Sequence, residues 1–234
     1  MKKIAVLGTG VVAQVISERL ASLGHEVMLG TRNVEETLSR AANDNFGRPG
    51  FKDWAAQNPK IRLGTFADAA AFGELLVNAT NGNGSLPALA LAGKENLSGK
   101  TMIDISNPLD FSKGFPPSLT VCNTDSLAEQ IQRAYTDVKV VKTLNTMNAY
   151  IQVNPALIPG DHTVFVNGND ATAKEEVKGI LKSFGWREDN IIDMGDITTA
   201  RGTEMILPIW VRLFGTLKHG TFNFHIAQGQ IPNT

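Results

Sequence analysis

Short apolar runs alternate with helical patterns of apolar and polar positions along most of the chain, an arrangement typical of a parallel sheet covered by helices. Strands are predicted at 3–7, 25–29, 61–63, 74–79, 101–105 and 139–144. Helices are predicted at 66–72, 86–92 and 126–135. A final strand, helix and strand are predicted at 163–166, 171–184 and 191–194. The pattern therefore predicts an α/β protein with a doubly wound, mainly parallel sheet and a small C-terminal α/β extension.

The turn after the first strand has the form G-x-G-x-x-A, from Gly8 to Ala13, and a helical pattern follows it directly. Gly8 permits a tight turn, Gly10 lets the backbone approach a pyrophosphate, and Ala13 lets the helix lie close to the strand. An ordinary glycine-rich loop is the alternative, but strand, turn and helix occur in the order that a Rossmann-type dinucleotide site requires. The pyrophosphate is expected to lie against Gly8, Thr9, Gly10, Val11 and Val12.

The end of the second predicted strand indicates which dinucleotide is bound. A ribose-binding Asp or Glu is expected about 20 residues after the glycines, and the sequence there is instead Gly30-Thr31-Arg32-Asn33. Arg32 offers a planar cation suited to a 2′-phosphate, while Thr31 and Asn33 offer neutral hydrogen bonds. A solvated surface arginine is the alternative interpretation of Arg32. The segment favours NADP over NAD.

Two polar loops follow strands where an open α/β sheet binds ligands. In the first, at 78–85, Thr80 and Asn81 are expected on the nicotinamide side; a plain turn whose Ser85 caps the next helix is the alternative. The second combines 104–109 with 142–148, where polar side chains that only satisfy the loop backbone are the alternative. There Asn107 is expected on the nicotinamide side, and Asn145 and Thr146 on the acceptor side. No catalytic acid, base or nucleophile is assigned.

Composition agrees with a cytoplasmic enzyme. The 234 residues carry a formal charge of −1 and no basic run, which argues against nucleic acid as a partner. One cysteine and four histidines without metal-ligand spacing predict neither an internal disulfide nor a metal site. The apolar stretches predict no signal peptide and no membrane span. The expected division is an NADP-binding domain at 1–145 and an extension at 146–234 that packs on it as one compact unit.

Two further segments carry expectations. The stretch 43–60 contains two Gly, two Pro and Trp54, and is predicted to be a long irregular loop. The stretch 205–217 is predicted to form a helix that is apolar nearly all round and therefore needs cover on every side. A two-fold partner would supply part of that cover, which predicts a homodimer. The alternative is a helix bent at Pro208 and buried within one subunit.

Four motifs together resemble the NADP oxidoreductases that use a deazaflavin coenzyme. They are the turn at 8–13, the strand end at 30–32, Lys-Thr-Leu-Asn-Thr at 142–146 and the helix start at 199–204. The cytoplasmic domains of STEAP-type metalloreductases look similar. The resemblance implies an enzyme that passes hydride directly between NADP and a deazaflavin or flavin ring stacked on it, with no acid–base side chain.

This chain departs from the family pattern on the acceptor side. The deazaflavin enzymes typically carry a His and then a Pro in the loop where this chain has Asn145 and Asn148. The acceptor therefore stays open among a deazaflavin, a flavin, a quinone, or a small carbonyl or imine. A pyrroline-carboxylate-reductase-like imine reductase and a non-catalytic NADP sensor are the alternative functions.

Overall fold

The structure is a computed structural model that describes residues 1–43 and 47–229. Its strands are β1 (Lys3–Leu7), β2 (Glu26–Thr31), β3 (Arg62–Thr65), β4 (Leu75–Asn78), β5 (Thr101–Asp104), β6 (Leu109–Asp110), β7 (Ser118–Leu119), β8 (Lys139–Thr143), β9 (Val164–Gly168) and β10 (Ile191–Gly195). Its helices are α1 (Val11–Ser22), α2 (Val34–Ser39), α3 (Phe51–Gln57), α4 (Phe66–Phe72), α5 (Gly82–Ala92), α6 (Lys94–Leu97), α7 (Leu127–Ala134), α8 (Ala149–Val153), α9 (Ala171–Phe184), α10 (Ala200–Met205) and α11 (Leu207–Leu217).

Eight strands form one sheet in the order β10-β9-β8-β5-β4-β1-β2-β3. All neighbouring strands are parallel except β8 and β9, so the predicted mainly parallel, Rossmann-type sheet is confirmed. The chain moves outward from β1 to β3, then returns to place β4 on the other side of β1. A ligand crevice is expected at such a reversal, beyond the carboxyl ends of β1 and β4.

Helices cover both faces of the sheet, and each face has its own hydrophobic core. Strand residues alternate between the two: Ile4 and Val6 of β1 belong to one cluster, and Ala5 and Leu7 to the other. Both clusters run beneath the carboxyl ends of the central strands. The loops that follow these strands therefore rest on a packed, rigid base.

The structure corrects the expectation of an irregular loop at 43–60. Residues 51–57 form α3, whose Phe51 and Trp54 are buried three positions apart with ring centroids 5.2 Å from each other. Residues 44–46 of that stretch lie outside the described residues. Tertiary burial of two aromatic side chains thus makes a helix where Gly and Pro predicted none.

Two helix starts also differ from the prediction. Helix α5 begins at Gly82 rather than at residue 86, and Asn81 caps it by accepting a hydrogen bond from the Gly84 N–H at 2.8 Å. Ser85 is therefore not the cap but a buried residue of the first turn. Helix α2 was not predicted, although Asn33 caps it through the Glu36 N–H at 3.0 Å.

The predicted helix at 205–217 is divided between the end of α10 and all of α11. Only Leu207 and Val211 of α11 are buried, whereas Ile209 is 54% exposed and Leu217 is 45% exposed. The alternative interpretation, in which the whole helix is buried within one subunit, is therefore wrong. Its outer face stays open within the described chain.

Candidate active site

The two glycines of the turn between β1 and α1 have different surroundings. Gly8 has a φ of +121°, and a Cβ there would lie 2.7 Å from the Ala79 carbonyl oxygen, so only glycine fits. Gly10 has an ordinary φ of −75°, and a Cβ there would meet no protein atom within 4 Å. No side chain of the described residues caps α1. Its first N–H groups are therefore open to an anion beside Gly10.

A groove of about 390 Å³ extends from this turn along the end of β2. It brings together eight of the predicted site residues: Gly8, Thr9, Gly10, Thr31, Arg32, Asn33, Thr80 and Asn81. The Thr31 hydroxyl is buried and lies 2.8 Å from the Thr37 hydroxyl. Arg32 is exposed and has no hydrogen bond or ion pair with any described residue. Its guanidinium is therefore available to a ligand in the groove.

Arg40 also lines this groove and is not among the residues predicted from the sequence. Its guanidinium donates to the Thr9 hydroxyl at 2.9 Å and to the Thr37 hydroxyl at 2.7 Å, and lies 5.6 Å from the ring centroid of Phe51. Arg40 thus connects the glycine turn to α2 and α3. Its placement depends on α2, which the capping pattern of Asn33 and Glu36 could have revealed.

A second cavity of about 560 Å³ adjoins the groove and shares Ala79, Thr80 and Asn81 with it. Its wall is apolar at Val12, Ile105, Leu109 and Phe111, and carries mostly neutral polar side chains elsewhere. Asp110 is the one ionisable residue among the described lining residues. Hydrogen bonds from the Ser112 N–H and hydroxyl hold the pKa of Asp110 below its usual value, so it is ionised at neutral pH.

Asn107 lines the second cavity, and Asn145 holds the Asn107 side chain in place through hydrogen bonds. The Asn145 amide donates to the Asn107 side-chain oxygen at 3.0 Å, and the Asn107 amide donates to the Asn145 backbone oxygen at 2.9 Å. Asn145 is buried and also donates to the Thr203 backbone oxygen. Thr146 is buried as well, and neither Asn145, Thr146 nor Val11 is among the residues that line the two cavities.

A buried ion cluster lies beneath the second cavity. The Lys142 ammonium is 2.9 Å from a carboxylate oxygen of Asp104 and 2.9 Å from one of Glu204, and all three side chains are at most 2% exposed. It also donates to the Ser106 backbone oxygen. Burial opposes the charge, but the two carboxylates outweigh it and raise the pKa of Lys142. Lys142 and Asp104 therefore act as a charged pair.

Helix α10 holds this cluster in place. Glu204 accepts hydrogen bonds from the Leu127 and Ala128 N–H groups at 2.8 and 3.1 Å, at the N-terminus of α7. Arg201 forms two hydrogen bonds with Glu129, which hold the pKa of that carboxyl below its usual value. The segment 199–204 was singled out only through the family resemblance, and Glu204 was not predicted as a structural partner.

The described residues contain no helix that is both long enough and apolar enough to cross a membrane. They also contain no group of three or more His, Cys, Asp or Glu side chains that could hold a metal ion.

The fold and the glycine turn define a Rossmann-type dinucleotide-binding protein, and comparison with known proteins gives the family. Residues 3–108 match the family of coenzyme F420-dependent NADP oxidoreductases. A crystal structure of a putative F420-dependent NADP-reductase from Arthrobacter sp. FB24 is 55% identical, with a TM-score of 0.92 over 97% of this chain and 100% of that one. The chain belongs to this family and is an NADP-dependent oxidoreductase.

Two curated relatives are more distant. The F420-dependent NADP reductase of Methanothermobacter marburgensis is 27% identical over 222 residues, which are 90% of this chain and 92% of that protein. The metalloreductase STEAP3 of Rattus norvegicus is 27% identical over 213 residues, which are 89% of this chain. The chain spans only 38% of the length of STEAP3.

Proposed function

We propose that this enzyme transfers hydride between bound NADP and a planar deazaflavin- or flavin-like ring held in the second cavity. The observation that carries the proposal is the junction of the two cavities at Ala79, Thr80 and Asn81. A dinucleotide whose phosphates lie at Gly10 and Arg32 would extend along the groove toward that junction. A ring in the second cavity would then stack on its nicotinamide.

Each part of the cofactor has a suitable counterpart. The pyrophosphate would lie on the start of α1, against Gly8, Thr9, Gly10, Val11 and Val12, and the nicotinamide beside Thr80, Asn81 and Asn107. The 2′-phosphate would bind beside Thr31, Arg32 and Asn33, with Arg40 as a second cation. Asn145 and Thr146 would support the acceptor side from behind Asn107, whose amide orientation Asn145 fixes.

The lining of the second cavity suits a reaction that depends on positioning. NADPH, when bound, would supply the hydride, and the apolar side chains of Ile105, Leu109 and Phe111 would hold a planar acceptor and exclude water. The described lining residues contain no His, Lys, Cys or Tyr to deliver a proton, and Asp110 is already ionised. Holding two rings in a near-attack geometry requires no such group.

Gly10→Asp tests the cofactor site, because its effects on folding and binding should be opposite. The position has helix-capping backbone angles and open space, so Asp should cap α1 and raise the free energy of unfolding by about 0.5 kcal/mol. The added carboxylate should displace the pyrophosphate and weaken NADPH binding at least tenfold. This change corresponds to the loss of about one hydrogen bond to a charged group.

The measurements are urea unfolding and NADPH fluorescence titration on the same samples. Gly8→Ala is the matched contrast, because the Ala79 carbonyl leaves no room for its Cβ and it should lower stability. Unchanged NADPH affinity in Gly10→Asp would contradict the proposed cofactor site.

The acceptor is tested by NADPH oxidation in the presence of deazaflavin, flavin, quinone, ferric and cyclic imine compounds. Turnover with a deazaflavin or flavin supports the proposal. Turnover with imines alone would replace it with an imine reductase. Tight NADPH binding with no turnover on any acceptor would indicate a sensor instead.

A further inference from the structure

Three buried or half-buried side chains connect the ion cluster to the junction of the two cavities. The Asn78 amide donates to Asp104 at 2.9 Å and to the Ser85 hydroxyl at 3.2 Å. The Thr80 hydroxyl donates to the Asn78 side-chain oxygen at 2.7 Å and lies 2.8 Å from the Ser85 hydroxyl. Asn78, Ser85 and Thr80 therefore form a closed ring of hydrogen bonds, of which only Thr80 reaches the cavities.

The ion cluster fixes the direction of every bond in this ring. An ionised carboxylate can only accept, so the Asn78 atom beside Asp104 must be the amide nitrogen. The Asn78 oxygen then points to Thr80, and the single Thr80 hydroxyl proton must go to it. With that proton engaged, the 2.8 Å contact between the two hydroxyls requires Ser85 to donate to the Thr80 oxygen, and the Asn81 backbone oxygen, 3.3 Å from the Ser85 hydroxyl, is the more distant acceptor.

This ordering leaves Thr80 with a free lone pair and no free proton. A threonine hydroxyl normally rotates to donate or to accept as its ligand requires. Here a phosphate or carbonyl oxygen facing Thr80 would meet only another oxygen lone pair. An N–H or O–H group of a ligand would find an acceptor that is already oriented.

We propose that the Lys142–Asp104 pair, acting through Asn78, makes Thr80 a one-way hydrogen-bond acceptor that selects a donor group on the nicotinamide half of NADP. The inference rests on the proposed function, because it requires the nicotinamide to lie beyond Thr80. Two groups of the cofactor have this chemistry: the carboxamide NH₂ and a hydroxyl of the nicotinamide ribose. Asp104 and Lys142 do not themselves line either cavity and act as positioning residues.

The test combines substitutions at Thr80 with a change in the ligand. NADPH and its reduced 3-acetylpyridine analogue, which has a methyl ketone in place of the carboxamide, are titrated by fluorescence into wild type, Thr80→Val and Thr80→Ser. Thr80→Val keeps the side-chain shape but has no acceptor, and it should weaken NADPH binding about three- to tenfold, the loss of one neutral hydrogen bond. Thr80→Ser should restore wild-type affinity.

The analogue distinguishes the two donors. If the carboxamide donates, wild type should bind the analogue three- to tenfold more weakly than NADPH, and Thr80→Val should have no further effect on it. If a ribose hydroxyl donates, Thr80→Val should weaken both ligands by the same factor. Should Thr80→Val not fold, Thr80→Ala carries the same two titrations.

Three results separate the possible failures. NADPH affinity unchanged in Thr80→Val overturns the inference. Tighter binding of the acceptor-only analogue than of NADPH by wild type, lost in Thr80→Val, also overturns it, because Thr80 would then be a donor. No NADPH binding by wild type would instead defeat the proposed function itself.

Discussion

At the scale of single residues, two arginines of the groove differ in whether their guanidinium groups already have hydrogen-bond partners. Arg40 already donates to the Thr9 and Thr37 hydroxyls, whereas Arg32 has no partner among the described residues. Arg32 can therefore give a 2′-phosphate its full set of donors. Arg40 adds positive charge from a fixed position, and Glu36 in the same groove partly offsets it.

We expect wild type to bind NADPH at least tenfold more tightly than NADH, and Arg32→Ala to remove most of that difference. A hydrogen bond to a charged group contributes about 1.5–3 kcal/mol, which corresponds to tenfold or more. Arg40→Ala should remove a smaller part. Fluorescence titration with both cofactors measures this, and NADH affinity, which does not involve the 2′-phosphate, is the internal control. Equal wild-type affinities for the two cofactors would exclude the assignment.

The difference between these arginines also shows what sequence can reveal at this scale. Arg32 was predicted because its distance from the glycines is set by one helix and one strand. Arg40 was missed because its position depends on the short helix α2. Asn145 was expected on the acceptor side, but its side chain bonds to Asn107 and Thr203, a tertiary arrangement that a loop sequence does not encode.

At the scale of elements, strand β8 carries two lysines with opposite environments. Lys142 is fully buried between Asp104 and Glu204, while Lys139 is 41% exposed beside Asp170. Neither lysine lines the groove or the second cavity. Their side chains instead provide a matched pair for measuring what burial of an ion pair does to stability.

Lys142→Met should lower the free energy of unfolding by about 3–5 kcal/mol, because it leaves two carboxylates buried without their cation. Lys139→Met should cost at most about 1 kcal/mol, since its ion pair is exposed. Urea unfolding of both variants measures the difference. Similar small losses in the two variants would mean that the cluster is not a charged network.

The pH dependence of this loss has a defined sign. The pKa of Lys142 is raised above its ordinary value of 10.5. Its contribution to stability is therefore fully present below that ordinary value and is lost only as pH rises through the raised folded pKa. Titration of Lys142 should accordingly add no pH dependence to the stability of wild type from about pH 6 to 9, which urea unfolding across this range measures.

The elements themselves were largely predictable from the sequence. Helices α4 and α9 begin and end where predicted, and the strands of the main sheet differ from prediction by one or two residues at most of their ends. These helices and strands have a strong apolar pattern, and tertiary packing does not change the element that the pattern predicts. Helices α2 and α3 were missed because α2 is short and α3 is stabilised mainly by burial of Phe51 and Trp54.

At the scale of the whole molecule, the open face of α11 supports the proposed homodimer. Ile209 and Leu217 of α11, and Met205 at the end of α10, are each more than 40% exposed. A second copy related by a two-fold axis would cover this face with the same face of its own. We propose this arrangement because a helix with so much apolar surface is expected to be covered.

Ile209→Glu should convert the dimer into a folded monomer, since it places a charge in the proposed interface and disturbs no buried residue. Static light scattering at micromolar concentration gives the mass, and circular dichroism checks the fold. Leu23→Glu, an exposed leucine at the end of α1, is the control and should stay dimeric. A monomeric wild type would rule out the dimer.

The ion cluster also bears on how the chain can be divided and recombined. Asp104 and Lys142 belong to the proposed domain at 1–145, whereas Glu204, which binds Lys142 and the start of α7, belongs to the extension at 146–234. A chimaera that joins this nucleotide half to the C-terminal part of another protein would need a carboxylate at the position of Glu204. Residues 1–145 therefore do not contain every partner of their own buried lysine.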